Sequence, residues 1–165
     1  MSAIASFYLV RNKDIDRLKD LATEPVGPVA GGKWHDPYWE FLFAEARELE
    51  RFNWSGNLMM DAITFLLSRD AKIDDYSDKP LSDSFCETRE SSMLVFRATP
   101  GKAFAQLIAA NLPDGKELEA FLTSQEMTSP SGDNPPKEAV LDALRVLKNW
   151  LSQVDENHLG LLSIG

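Results

Sequence analysis

A chain of 165 residues and 18.5 kDa, 44% hydrophobic and 26% charged, has the size and composition of one folded domain with its own core. Its 17 basic and 26 acidic residues leave a formal net charge of −9, which repels a polyanionic backbone and sets nucleic-acid binding aside. The single cysteine, Cys86, excludes an internal disulfide and a cysteine-built zinc site, and no run of about 18 apolar residues offers a membrane span.

The opening MSAIASFYLVRNKD has no basic region ahead of its short apolar run, so no signal peptide is read and the expected setting is the cytoplasm. Residues 3–10, with Phe7, Tyr8 and Val10, are too few for a helix and read as a buried strand. Asn12 is then placed to cap a helix carrying Ile15, Leu18 and either Leu21 or Ala22 on one face. TEPVGPVAGGK, residues 23–33, holds two prolines and three glycines and is expected to be a surface loop.

Asp36-Pro37 restarts the chain as an N-cap followed by proline at the first helical position. The apolar stripe of that helix is Trp39, Leu42, Phe43, Ala46 and Leu49, and the helix is expected to end near Arg51. Another helix carries Leu58, Met59, Ala62, Ile63, Phe65 and Leu66, with Asn57, Asp61, Thr64 and Ser68 as a narrow polar strip. Residues 70–92 hold seven acidic and three basic side chains, many serines and Pro80, and are expected to be a long loop with one short element around Phe85.

MLVFRA, residues 93–98, has the residue types of a strand, and Thr99-Pro100 opens a helix that Leu112-Pro113 ends. Asp114 and Glu117 have capping-box spacing ahead of Leu118, Phe121 and Leu122. After the loop TSQEMTSPSGDNPP, Asn134-Pro135 opens a last long helix with the stripe Val140, Ala143, Leu144, Leu147, Trp150 and Leu151. LGLLSI closes the chain as a strand. Two apolar terminal strands are costly to leave exposed, so they are expected to pair in one sheet. The fold class predicted is α+β, a single domain over 1–165, with a small mixed or mainly antiparallel sheet packed with five to six helices.

Several short segments invite a functional reading. Asn53-Trp54-Ser55 matches a glycosylation acceptor, but no secretory address accompanies it, and Ser55 lacks the flanking glycines of a nucleophile elbow. A helix start with Phe52 and Trp54 packed across it is the simpler account. His35, in GGKWHDPYWE, stands between a glycine-rich loop and a helix start, close to Asp36 and Glu40, with aromatics around it. Trp34, His35, Trp39, Glu40 and Trp54 form the candidate ligand-binding set. Asp70, Asp74, Asp75, Asp78 and Asp83 lack calcium-loop spacing and form instead a candidate surface for a basic protein partner. Cys86 has no second cysteine to resolve an oxidised form and reads as structural. No phosphate-cradling glycine loop is present, no metal site or cofactor is expected, and the sequence assigns no residue a catalytic role.

The strand IASFYLV, the aromatic DPYWEFLF followed by FNWSG, and the ending LLSIG together resemble a bacterial family of small proteins, the YfbM-like group, in layout over most of the chain. The long acidic segment at 70–92 departs from that layout. The resemblance implies a single α+β domain of bacterial origin and supplies no catalytic residues. On these grounds the expected function is a non-enzymatic protein-interaction module, immunity-like or regulatory, with an acidic surface. The alternative is a small-molecule-binding protein or enzyme with a pocket near Trp34, His35 and Trp39.

Overall fold

The computed structural model describes residues 3–28, 32–67, 72–89, 91–124 and 137–165. Strands β1 (Ala5–Arg11) and β6 (His158–Ile164) pair antiparallel along their whole length, from Ala5 opposite Ile164 to Arg11 opposite His158. Around this central pair, β4 (Arg47–Glu48) joins β1 at Tyr8 and Leu9, and β5 (Ser92–Phe96) joins β6 on its other side, giving the antiparallel order β4-β1-β6-β5. A second small sheet pairs β2 (Gly27–Pro28) with β3 (Trp34–His35). Seven α-helices stand among the described residues, and the whole is an α+β domain.

Helices cover both faces of the four-stranded sheet, because side chains alternate along each strand and both sets are apolar. Ala5, Phe7 and Leu9 of β1, with Leu162 and Ile164 of β6, pack under α3 (Gly56–Leu67), α5 (Ala98–Ala110), α6 (Gly115–Ser124) and α7 (Lys137–Ser152). There Phe7 stacks on Trp150 at 5.4 Å between centroids, and the Trp150 indole donates to the Glu50 carbonyl at 2.9 Å. Tyr8, Val10, Leu159 and Leu161 look the other way, toward α1 (Ile15–Ala22), α2 (Pro37–Glu45) and α4 (Lys79–Arg89).

Two glycines are demanded by close approach. A Cβ at Gly160 would lie 2.4 Å from Phe7 Cζ and 2.8 Å from Val154 Cγ2, so the bare backbone of β6 makes room for the Phe7 ring. A Cβ at Gly56 would lie 2.8 Å from the Ile4 carbonyl carbon, where α3 begins against the start of β1 and the Gly56 amide donates to the Ala3 carbonyl at 2.7 Å. At this helix start Phe52 is buried as expected, whereas Trp54 is 43% exposed rather than packed across it, and the glycine lets the helix begin against a strand.

The segment expected to be a long acidic loop contains an 11-residue helix, α4, preceded by a 3-10 turn at Ile73–Asp75. Its Phe85 is buried beside Tyr38. The aromatic helix α2 stops at Glu45 rather than near Arg51, because the next residues pair with β1 and the Leu49 amide donates to the Phe7 carbonyl at 2.9 Å. Asn12 does not cap a helix; it opens a 3-10 turn, and its side-chain amide donates to the Glu156 carbonyl at 2.7 Å. The expected start of the last helix at Asn134-Pro135 lies outside the described residues.

Candidate functional site: an aromatic cleft over the sheet

Helix α2 carries more apolar surface than the sheet can cover. Its buried side chains are Pro37, Tyr38, Phe41 and Leu42, whereas Trp39 is half-buried and Phe43 is 68% exposed. The expected stripe had Trp39 and Phe43 facing the core; they stand one turn apart on the outward flank, stacked at 5.8 Å and 23°. Tyr8 tilts against Trp39 from the sheet at 6.1 Å.

These rings wall a cleft of about 670 Å³ whose floor is the end of the β1–β6 pair. The floor is low because the cross-strand partners there are Ser6 and Ser163, followed by Gly165. Trp34 and Ile4 stand at the rim, 70% and 48% exposed. The volume is that of a site for a small ligand or one side chain. Ser163 is 5% exposed, and its hydroxyl makes no hydrogen bond with any described residue. No described buried side-chain oxygen is sealed off without a partner, so that hydroxyl opens to the cleft it lines.

Asp36 and Glu40 are the two carboxylates of the lining. Asp36 caps α2, accepting from the Trp39 amide at 3.3 Å, and its other oxygen is held by Arg89 of α4. The Arg89 guanidinium also lies 4.6 Å over the Tyr38 ring. Burial raises the pKa of the Tyr38 phenol well above its ordinary value, against the opposing pull of Arg89, so it stays neutral and donates to Met93 Sδ at 3.5 Å. Tyr8 is raised as well, mainly by burial, with a hydrogen bond to Ser6 working against the shift and Glu48 adding to it. Glu40 Oε1 accepts a hydrogen bond from His35 Nδ1 at 2.9 Å, both side chains being well exposed.

Of the candidate ligand set, the fold brings Trp34, Trp39 and Glu40 into one cleft and places His35 beside it through Glu40. Trp54 is not part of the lining. Ser6, Tyr8, Phe43, Ser91 and Ser163 also line it, and only the excess of apolar positions in PYWEFLF signalled any of them. The candidate acids lie elsewhere. Lys79 sits between Asp74 and Asp83 at 3.6 and 3.5 Å, Asp78 pairs with Arg97 at 2.6 Å, Asp75 is exposed, and Asp70 lies outside the described residues. Lys79 is held above its ordinary pKa by those two acids. Among the described residues there is no group of three or more side chains suited to holding a metal, and no helix is long and apolar enough to cross a membrane.

No family model matches this chain, and no curated protein or solved structure matches it.

Proposed function

We propose that this protein is a binding module whose ligand enters the cleft between α2 and the β1–β6 floor. The observation that carries the reading is Ser163: a hydroxyl 5% exposed and without a partner among the described residues, at the bottom of an aromatic-walled space of ligand size. Because it opens to the cleft, that hydroxyl is free to meet a polar group of an entering ligand. Binding fits better than catalysis, since the serines of the lining make no hydrogen bond to His35 and its described partner is Glu40. An acidic docking surface draws less support, because Asp74 and Asp83 share Lys79 and Asp78 pairs with Arg97 from within the chain.

The test is a fragment screen read by the indole and amide resonances of the labelled protein. Fragments are expected to shift Trp34, Trp39 and Ser163 while leaving the buried Trp150 in place. A screen in which no fragment moves the cleft resonances, or in which every hit maps elsewhere, removes the proposal.

A further inference from the structure

Accepting that the cleft is a ligand site, its chemistry narrows what it takes. The lining holds Trp39 and Phe43, stacked on each other, with Tyr8 tilted against Trp39 and Trp34 exposed at the rim. The ring faces are electron-rich, and an organic cation is the ligand they favour over a neutral one of the same shape. The lining contains no lysine, arginine or histidine, while it does contain Asp36 and Glu40. Asp36 is neutralised by Arg89, which leaves Glu40 as the lining carboxylate whose only described partner is a histidine. The chain as a whole carries a net −9, which favours cations over anions.

The same cluster already holds one cation in this manner. Arg89 lies over Tyr38 with Asp36 beside it, so a ring face and a carboxylate together accommodate a guanidinium just behind the cleft wall. From these observations we infer that the cleft binds an alkylated ammonium group, seated against Trp39, Phe43 and Trp34 with Glu40 at its edge. A trimethylammonium head suits the walls better than a bare ammonium, because its charge is spread over methyl groups that can pack on rings without hydrogen-bond donors to satisfy. Ser163 then meets a hydroxyl or carbonyl on the tail of the same ligand. Such a head can come from a free choline-like molecule or from a methylated lysine side chain.

The experiment is a titration of the full chain, followed by the Trp34 and Trp39 indole resonances, with choline and with dimethylbutanol, its uncharged carbon isostere. Choline is expected to bind at least ~10-fold more tightly than the isostere. Trp34→Leu, at a residue too exposed to matter for folding, is expected to weaken choline by roughly 5-fold and the isostere far less. Glu40→Gln is expected to weaken choline by roughly 3-fold, with a smaller effect at high salt. A short peptide carrying trimethyllysine, compared with the same peptide unmethylated, identifies the source. Tighter binding of the methylated peptide than of choline assigns a protein side chain, and the reverse order assigns a free small molecule. Equal binding of choline and dimethylbutanol overturns the inference while leaving the cleft a ligand site, as does a cleft that responds to neutral fragments and to neither probe. A cleft that responds to nothing overturns both.

Discussion

Cys86 Sγ lies 3.2 Å from both the backbone nitrogen and the carbonyl oxygen of Met93, near the start of the outer strand β5. One turn earlier on α4, Ser82 Oγ accepts from the Val95 amide at 2.9 Å and donates to the Asp78 carbonyl at 2.8 Å. The Asp78 amide donates to the Val95 carbonyl at 2.7 Å. Four residues along a helix advance about 6 Å, and two residues along a strand nearly 7 Å, so side chains at 82 and 86 meet the outward backbone groups of 95 and 93 in register. The helix thus closes a sheet edge that would otherwise present open hydrogen-bonding groups.

Removing those side chains should loosen β5 in a graded way. Ser82→Ala leaves the Val95 amide without its partner in a buried position and is expected to cost about 1–3 kcal/mol in urea unfolding. Cys86→Ala is expected to cost less, since a thiol is a weak donor and acceptor, and Cys86→Ser to cost least of the three. Amide exchange gives the sharper readout. Val95 should lose protection in Ser82→Ala while Leu162 on the central strand keeps it, and equal protection of Val95 in the two proteins would refute the edge-closing role.

The two crowded glycines predict a contrast. Gly160→Ala drives a Cβ to within 2.4 Å of the Phe7 ring, which is itself stacked on Trp150, so the ring cannot retreat without moving the core. Gly56→Ala meets backbone atoms of Ile4 and Ala5 at 2.8 and 2.9 Å. Each is expected to cost at least ~2 kcal/mol. At Gly115, the first residue of α6, the nearest atom is the flexible end of Lys137 at 3.6 Å, and alanine there should be neutral or stabilising by up to ~1 kcal/mol. Thermal unfolding of the three variants checks the order, and a Gly160→Ala protein as stable as the parent would count against the packing described.

The pairing of the terminal strands was legible because both segments are continuous apolar runs too short for helices, and a strand buried on both faces reads that way. Helix α4 was hidden for the opposite reason. Two of its inward residues are Ser82 and Cys86, which serve the strand edge rather than a core, so the apolar stripe shrinks to Leu81 and Phe85 amid acids. The end of α2 was misplaced because ARELE has good helical propensity, and pairing of Arg47 and Glu48 with β1 outweighs it. Half of the cleft was visible as the aromatic cluster around His35. Its floor was not, since serines at 6 and 163 become neighbours only through the register of strands at opposite ends of the chain.

Asp61 provides a prediction with a pH signature. It is part-buried on α3, accepts no hydrogen bond from any described residue, and burial raises its pKa above the ordinary carboxylate value. An acid with a raised folded-state pKa holds its proton more tightly folded than unfolded. Stability is therefore greatest below the ordinary carboxylate range, falls as pH rises through that range to the raised value, and levels off above it. At neutral pH the ionised Asp61 works against the fold. Asp61→Asn should raise the melting temperature at pH 7 by a degree or two, and the gain should shrink toward zero near pH 3. A gain that grows on acidification would contradict the assignment.

Arg89 and Asp36 tie the cleft to the core. Their side chains are 9% and 14% exposed, the carboxylate also caps α2, and the guanidinium covers the Tyr38 ring. Removing one member of such a pair strands the other in a poor solvent. Arg89→Met is expected to cost about 3–5 kcal/mol, and the double variant Arg89→Met with Asp36→Asn to recover a good part of it, because asparagine keeps a capping oxygen without a charge to compensate. Arg89→Lys retains the charge but loses the planar fork and the ring contact, and should fall in between. The first turn of α2 sets where Trp39, Glu40 and Phe43 stand, so the single variant should shift the Trp39 indole resonance and weaken any cleft ligand even where the protein remains folded. If Arg89→Met unfolds at the same denaturant concentration as the parent and leaves the Trp39 resonance unmoved, the pair is a surface ion pair with no part in positioning the site.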